Sequence, residues 1–231
     1  GWGGFWAWDP VENAALMPWL TGTAFLHSVM IQEKRNMLKT WNVVLIIMTF
    51  GLTIIGTFLT RSGIINSVHS FTQSEIGPAF LIFLALILII GFALLFKRIQ
   101  MLESEHKIES VLCRENVFLA QNVLLVGIAF TVLLGTTFPL LAEAVRGTKL
   151  SIQAPFFNTV TAPMGYALLF LMGVGMLISW RKSNLERLRR NFQNPIILAT
   201  VGTIFLSWLM WEKKLQWGVY TILWSAIIVT L

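Results

Sequence analysis

Cysteine is almost absent from this chain of 231 residues, in which Cys113 is the one thiol. A single cysteine excludes an intrachain disulfide framework, a C-x-x-C redox pair and a C-x-x-C-H segment for covalent haem, so we predict a structural thiol. Phosphate-binding glycine loops and hydrolase nucleophile motifs are missing as well. Charged residues are scarce at 12%. These absences direct attention to the apolar segments.

The apolar segments are long enough to cross a bilayer. Hydrophobic residues make up 56% of the chain, and the mean hydropathy is +0.73. We predict an all-α, polytopic helical integral membrane protein with about seven transmembrane helices, which forms a single helical membrane domain over 1–231. The chain has no initiator Met and stops inside an apolar run, so we expect a fragment. The predicted spans are 14–31, 41–59, 78–96, 117–141, 162–180, 196–211 and 217–231.

Basic residues are concentrated in every second loop. The loops at 32–40, 97–116 and 181–195 together hold twelve of the 17 lysines and arginines. Because basic residues in short loops stay on the cytoplasmic side, we predict that these loops are inside and that 1–13 and 60–77 are outside. The net charge of +6 then reflects membrane topology, and no nucleic-acid partner is predicted.

The segment 1–13 is rich in aromatic residues that alternate with glycine. Trp2, Phe5, Trp6 and Trp8 lie within eight residues, immediately before the first apolar helix. Trp has a large rigid face, and glycine lets the backbone approach a partner closely. The segment therefore indicates a surface for a flat ligand. The alternative is an aromatic belt that anchors the protein at the membrane boundary.

The end of this segment predicts the start of a helix. Asp9 stands at the N-cap position, Pro10 at the first helical position and Glu12 at the third. Such carboxylates accept the unpaired N–H groups of the first turn. We therefore predict that the two acids cap the helix and fix the angle of the aromatic segment. Direct contact with a ligand edge is the alternative.

Taken together, these residues resemble the tryptophan-rich W-G-x-F/W-W-x-W-D-x-x-E signature of haem-handling proteins in cytochrome c maturation. The chain is similar to the CcmF/NrfE type of membrane haem lyase subunit, and the similarity runs from residue 1 to about residue 180. Other matching segments are Met17–Leu20, Leu26–Ser28, Glu33–Arg35, Thr57–Gly63, Ser67–Phe71 and Pro155–Asn158.

The resemblance implies residues for two haem sites. Trp2, Trp6 and Trp8 would contact the macrocycle of transiting haem, and His69 in the external loop 60–77 would ligate its iron. His27, within the first span, would be an axial ligand of a resident haem b. From the residues alone, a histidine hydrogen-bonded to a neighbouring helix is the alternative for His27, and a solvated loop residue is the ordinary reading of His69.

Arg61 is a further candidate at the outside end of the second span. Its guanidinium suits a haem propionate, and an ordinary interfacial arginine is the alternative reading. The family pattern has two external and two transmembrane histidines, whereas this chain supplies one of each. The resemblance therefore implies that the missing partners lie outside the chain.

The implied function is to hold haem at the external aromatic surface for covalent attachment to apocytochrome c, as part of a cytochrome c haem lyase. The implied partners are a haem chaperone, apocytochrome c, an apocytochrome-binding maturation subunit and membrane lipid. The expected location is the bacterial inner membrane with the tryptophan segment on the periplasmic side, or the mitochondrial inner membrane. A haem transporter or delivery protein and a purely structural subunit of the maturation complex are the alternatives.

Overall fold

A computed structural model describes residues 5–62, 76–104, 113–147, 152–180 and 185–210. These residues form six α-helices and a short 3-10 helix, and no strand occurs among them. The prediction of an all-α chain is therefore confirmed. The helices are α1 (Pro10–Arg35), α2 (Lys39–Arg61), α3 (Gly77–Lys97), α4 (Arg114–Arg146), α5 (Ala154–Leu177) and α6 (Leu185–Met210), with the 3-10 helix at Ile99–Leu102.

Five of these helices, α1 to α5, are long and apolar enough to cross a membrane. The first four predicted spans lie wholly within α1 to α4. The fifth, predicted at 162–180, is shifted, because α5 begins at Ala154 and ends at Leu177. Most of the predicted span 196–211 lies in α6, and 217–231 lies outside the described residues. The count of about seven is thus not confirmed.

The chain divides into two compact units, and the division falls within α4 and α5. The first unit comprises Gly1–Lys107 with Leu125–Ala162, and the second comprises Ile108–Leu124 with Pro163–Leu231. The first unit contains α1 to α3, the C-terminal part of α4 and the start of α5. A single membrane domain over 1–231 remains a prediction.

The start of α1 has the predicted cap. Asp9 Oδ2 accepts a hydrogen bond from the Val11 N–H at 3.0 Å, and Glu12 Oε2 accepts one from the Asp9 N–H at 3.1 Å. Pro10 is the first helical residue, where a missing N–H costs nothing. Glu12 Oε2 also accepts the Ala7 N–H at 3.0 Å, which draws the aromatic segment onto the helix end. The capping role predicted for both acids is confirmed.

Helices α1 and α2 form an antiparallel pair that is joined by polar side chains. Thr49 Oγ1 donates to Thr21 Oγ1 at 2.8 Å, and Asn42 Nδ2 donates to Gln32 Oε1 at 2.6 Å. In an apolar environment such interhelical hydrogen bonds contribute about 0.6–2 kcal/mol each. They also fix the register of the pair.

A proline and a glycine bring the same two helices together near the start of α1. Pro18 has no N–H to donate to the Ala14 carbonyl, four residues earlier. Gly56 of α2 packs against this carbonyl, and a Cβ at position 56 would lie 3.2 Å from the Ala14 oxygen. The close approach depends on glycine. Continuing the antiparallel register by five residues places Arg61 level with Asp9, at the end of α1 that carries the aromatic segment.

Helix α3 returns antiparallel to α2 and exposes most of its apolar surface. A Cβ at Gly77 would lie 3.3 Å from Ser62 Cβ, and one at Gly91 would lie 3.3 Å from the Ile47 side chain. Its outward residues include Ile89 and Phe96, which are 67% and 68% exposed. An exposed apolar face of this length is what a helix in contact with lipid presents.

In the second unit, Arg114 holds the C-terminal end of α5. Its guanidinium donates to the carbonyls of Gly175, Met176 and Ile178 at 2.8–3.0 Å. The guanidinium carbon also lies 5.4 Å from the centre of the Trp180 ring. The last carbonyls of a helix have no partner within it, so a cation placed there stabilises the helix end.

Candidate functional site

The candidate site is the aromatic segment before α1, of which the structure describes Phe5 onward. Trp8 has a φ of +59°, in the left-handed region that a bulky residue rarely adopts. Its carbonyl accepts a hydrogen bond from Asn13 Nδ2 at 3.1 Å. The same Nδ2 donates to Thr136 Oγ1 of α4 at 3.0 Å, and Asn13 is buried. The buried amide therefore fixes the turn and joins it to α4.

The Trp8 indole is held by residues from the first turns of α5. Its ring stacks on Phe157, with 5.0 Å between ring centres and 12° between planes. Its Nε1–H donates to Asn158 Oδ1 at 2.7 Å. The Trp6 ring stands nearly perpendicular to it, with centres 5.7 Å apart. Stacking and an indole hydrogen bond together define one position for Trp8.

Phe157 is itself seated against a glycine of α4. The ring is 2% exposed, and a Cβ at Gly135 would lie 2.5 Å from Phe157 Cε1. A side chain larger than hydrogen at position 135 therefore cannot coexist with this ring position. Phe156 packs edge-on against Phe157, with ring centres 5.4 Å apart. The ring that supports Trp8 thus depends on the absence of a side chain at Gly135.

We expect Gly135→Ala in the full-length protein to displace Phe157 and lower stability by about 1–3 kcal/mol, the usual cost of overpacking a filled site. Gly165→Ala is the matched control, since a Cβ there meets nothing within 4 Å. Both changes gain helix propensity, so the control should be neutral or stabilising by roughly 0.5–1 kcal/mol. Thermal unfolding of the purified variants measures the difference. Equal midpoints for the two variants would contradict this packing.

Two apolar rings of the segment remain accessible beside the anchored Trp8. Trp6 is 41% exposed, and Phe5 is fully exposed. Accessible aromatic faces next to a fixed indole suit a flat apolar ligand, so the described residues fit a haem macrocycle. Trp2, predicted to contribute to the same surface, lies outside the described residues.

The two other candidates, which the sequence predicts to lie outside the membrane, are at the end of α2 or beyond it. Arg61 is exposed at the last residue of α2, level with the start of α1. A cation at this height suits the propionates of a ligand that rests on the aromatic segment. His69 lies outside the described residues, in the stretch between Ser62 and Ile76 that connects α2 to α3.

His27 lies deep in α1, away from the aromatic segment. It is half-buried, and it follows Asp9 by 18 residues, which is about 27 Å along a helix. This separation is larger than a haem macrocycle is wide. His27 and the aromatic segment are therefore too far apart to contact the same macrocycle.

Cys113 stands immediately before α4 and is 1% exposed. Burial raises the pKa of its thiol, and a neighbouring Glu115 carboxylate raises this pKa further. A buried thiol that stays protonated at neutral pH is a poor nucleophile. The prediction of a structural thiol is supported by this environment.

Sequence reasoning did not assign roles to the residues that hold Trp8. The Pro155–Asn158 match contains Phe157 and Asn158, whereas the sequence around Gly135 and Thr136 carries no signal of its own. The spacing of 150 residues between Trp8 and Asn158 carries no local pattern. The aromatic pair before Asn158, which lies four residues before the predicted span 162–180, was the available hint.

Comparison with known proteins agrees with the resemblance. The family described as "Cytochrome C assembly protein" matches residues 1–66. The chain is 40% identical to the cytochrome c-type biogenesis protein CcmF of Escherichia coli (strain K12) over 215 residues, covering 91% of the chain and 32% of that protein. It is 37% identical to the probable cytochrome c-type biogenesis protein NrfE of the same strain over 210 residues, covering 90% of the chain and 36% of that protein.

A solved structure titled "Cytochrome c Heme Lyase CcmF" has the same fold over 99% of the chain, with a TM-score of 0.73 and 36% sequence identity. The chain covers 33% of that structure, so it spans about one third of the length of the relatives that it matches. The family match at the aromatic segment, the identities near 40% and the shared fold agree with one another. The chain belongs to the CcmF/NrfE-type family of cytochrome c-type biogenesis proteins.

Proposed function

We propose that this chain contributes the haem-handling surface of a membrane haem lyase, which holds haem outside the membrane for covalent attachment to apocytochrome c. The observation that carries the proposal is the aromatic segment, in which Trp8 is fixed while Trp6 and Phe5 stay accessible. A segment that served only as a membrane belt would gain nothing from a buried amide and a dedicated stacking partner. The proposal is tested by replacing both Trp6 and Trp8 with alanine in the full-length protein and measuring whether holocytochrome c is still produced.

Each candidate residue has a proposed part in this function. Trp2, Trp6 and Trp8 form the surface for the macrocycle, Arg61 pairs with a propionate, and His69 ligates the iron of transiting haem. The position of Arg61, level with the start of α1, supports its part. His27 ligates a separate, resident haem b within the membrane, and its distance from the aromatic segment supports the separation.

The proposed chemistry is thioether formation, in which each thiol of an apocytochrome C-x-x-C-H segment adds to a vinyl group of haem. Haem supplies the vinyl groups and the iron. The chain's residues supply orientation, because they hold one face of a flat substrate and leave the other open to the apocytochrome. Fixing two reactants in a productive geometry is a large source of rate enhancement by itself. No general base from this chain is needed for such a role.

The proposed setting is a bacterial inner membrane, with the aromatic segment on the periplasmic side. The partners are a haem chaperone that delivers haem, apocytochrome c and a subunit that binds the apocytochrome. Two predicted cytoplasmic loops lie together in the first unit, since Lys39 Nζ lies 3.5 Å from the Glu103 carbonyl. The start of α1 and the start of α5 meet at Trp8. Helices that cross the membrane in alternating directions require this, because the first and the fifth then begin on the same side.

Reporter fusions to the full-length protein test this orientation. A reporter active in the periplasm should work when fused at residue 69 and fail at residue 106, because the basic loop 97–116 stays in the cytoplasm. A cytoplasmic reporter should give the reverse pattern. Periplasmic activity at residue 106 without activity at residue 69 would invert the topology, and the proposed parts of both histidines would be lost with it.

A further inference from the structure

We infer that the two described tryptophans of the segment have different tasks: Trp8 is a positioning residue locked by Asn158 and Phe157, and Trp6 presents the face that meets the ligand. This assignment rests on the proposed function and gives the two tryptophans different roles in it. The sequence signature treats the tryptophans alike, whereas the structure gives each a different environment.

Three groups of Trp8 contact other residues: its carbonyl, its indole N–H and one face of its ring. Its carbonyl accepts from Asn13, its indole N–H donates to Asn158, and one ring face is covered by Phe157. With its N–H and one ring face already engaged, Trp8 can offer a ligand only its remaining face. Trp6, by contrast, is 41% exposed and contacts Trp8 at nearly a right angle. Fixing Trp8 therefore fixes the plane of Trp6.

Asn158 is the residue on which this lock can be tested without disturbing the fold. It is exposed on the first turns of α5, and its Oδ1 is the acceptor for the Trp8 indole. Removing an exposed side chain leaves no cavity. A hydrogen bond of this kind contributes about 1 kcal/mol, so its loss should make the locked orientation about fivefold less populated relative to alternatives.

The test uses the full-length protein labelled with 5-fluorotryptophan, with the Trp8 resonance assigned by its absence in Trp8→Phe. Asn158→Leu removes the acceptor, and we expect the Trp8 fluorine signal to shift and broaden. Asn158→Asp keeps an acceptor oxygen and should restore most of the signal position. Thr159→Val is the neighbouring control, because the exposed Thr159 hydroxyl donates to Pro155 of its own helix. This control should leave the signal unchanged.

Holocytochrome c yield measured on the same variants completes the test. The inference expects Asn158→Leu to lower the yield about fivefold, and Asn158→Asp to recover it. A Trp8 signal that does not respond to Asn158→Leu overturns the positioning role, whatever the yield. If the Trp8 signal shifts in Asn158→Leu while the yield and haem binding stay normal, Asn158 does position Trp8, but the proposed function of the segment is overturned. The two failures are therefore distinguishable.

Discussion

Alanine at both Trp6 and Trp8 in the full-length protein is expected to abolish holocytochrome c production while the protein remains inserted. The two substitutions remove the accessible ring and the ring that positions it. The lost Trp6 contact with a flat ligand contributes about 1.5–3 kcal/mol, so its loss alone should lower affinity for haem by roughly 10- to 150-fold. Neither residue lies within a helix, so insertion should be unaffected.

The matched control is another exposed tryptophan, Trp19, which lies on α1 and is 64% exposed. Trp19→Ala removes an aromatic ring of the same size from the membrane-length part of α1. We expect it to leave holocytochrome c production near normal. Measurement of cytochrome-bound haem and of protein level in the membrane fraction separates loss of function from loss of protein.

Two outcomes of this experiment decide between the readings of the segment. Normal holocytochrome c with both Trp6 and Trp8 replaced would return the segment to a membrane belt. An equal loss in Trp19→Ala would show that aromatic content at the membrane, rather than the segment, is what matters. A purely structural subunit of the maturation complex would tolerate the double substitution as long as the protein remains inserted.

The parts of the structure that the sequence predicted are those governed by short-range physics. The capping of α1 depends on Asp9, Pro10 and Glu12, which lie within four residues of one another. The first four spans depend on apolar runs that are read directly along the chain. In both cases each interaction joins neighbours, so the pattern of residues is sufficient.

Helix limits near charged or proline-containing stretches were predicted less well. A hydropathy reading starts the sixth span at 196, whereas α6 begins at Leu185. The intervening segment contains three arginines and Glu186, residue types that favour a helix although they disfavour the bilayer. Likewise, α5 begins at Ala154, because Pro155 is compatible with a first helical turn. Hydropathy identifies the apolar part of a helix that can lie in the membrane, but it does not identify where the helix begins and ends.

The support of Trp8 was beyond local reasoning. Asn13 is bonded to Thr136 across 123 residues, and Trp8 to Asn158 across 150. These contacts arise from the way in which α1, the end of α4 and the start of α5 pack in the first unit. The need for glycine at position 135 is evident only from the structure, in which the Phe157 ring packs against it. A single sequence contains each residue and gives no indication of the pairing.

Replacing His27 and replacing His69 should have different effects, because each histidine is proposed to ligate a different haem. If His27 is an axial ligand of a resident haem b, His27→Ala in the full-length protein should lose or shift the b-type absorption spectrum of the purified protein. If His69 ligates transiting haem, His69→Ala should leave that spectrum intact and stop cytochrome c maturation. Added imidazole should then restore part of the yield by filling the vacated ligand position. The distance of about 27 Å along α1 between Asp9 and His27 is the physical basis for two independent effects.

His106→Ala is the control for replacing a histidine, because residue 106 lies in the predicted cytoplasmic loop and has no proposed ligand role. It should change neither the b-type spectrum nor the holocytochrome c yield. A His69 variant that lacks the b-type spectrum, beside a His27 variant that retains it, would reverse the assignment. The external loop would then supply the ligand of the resident haem, and the half-buried position of His27 in α1 would reflect helix packing alone.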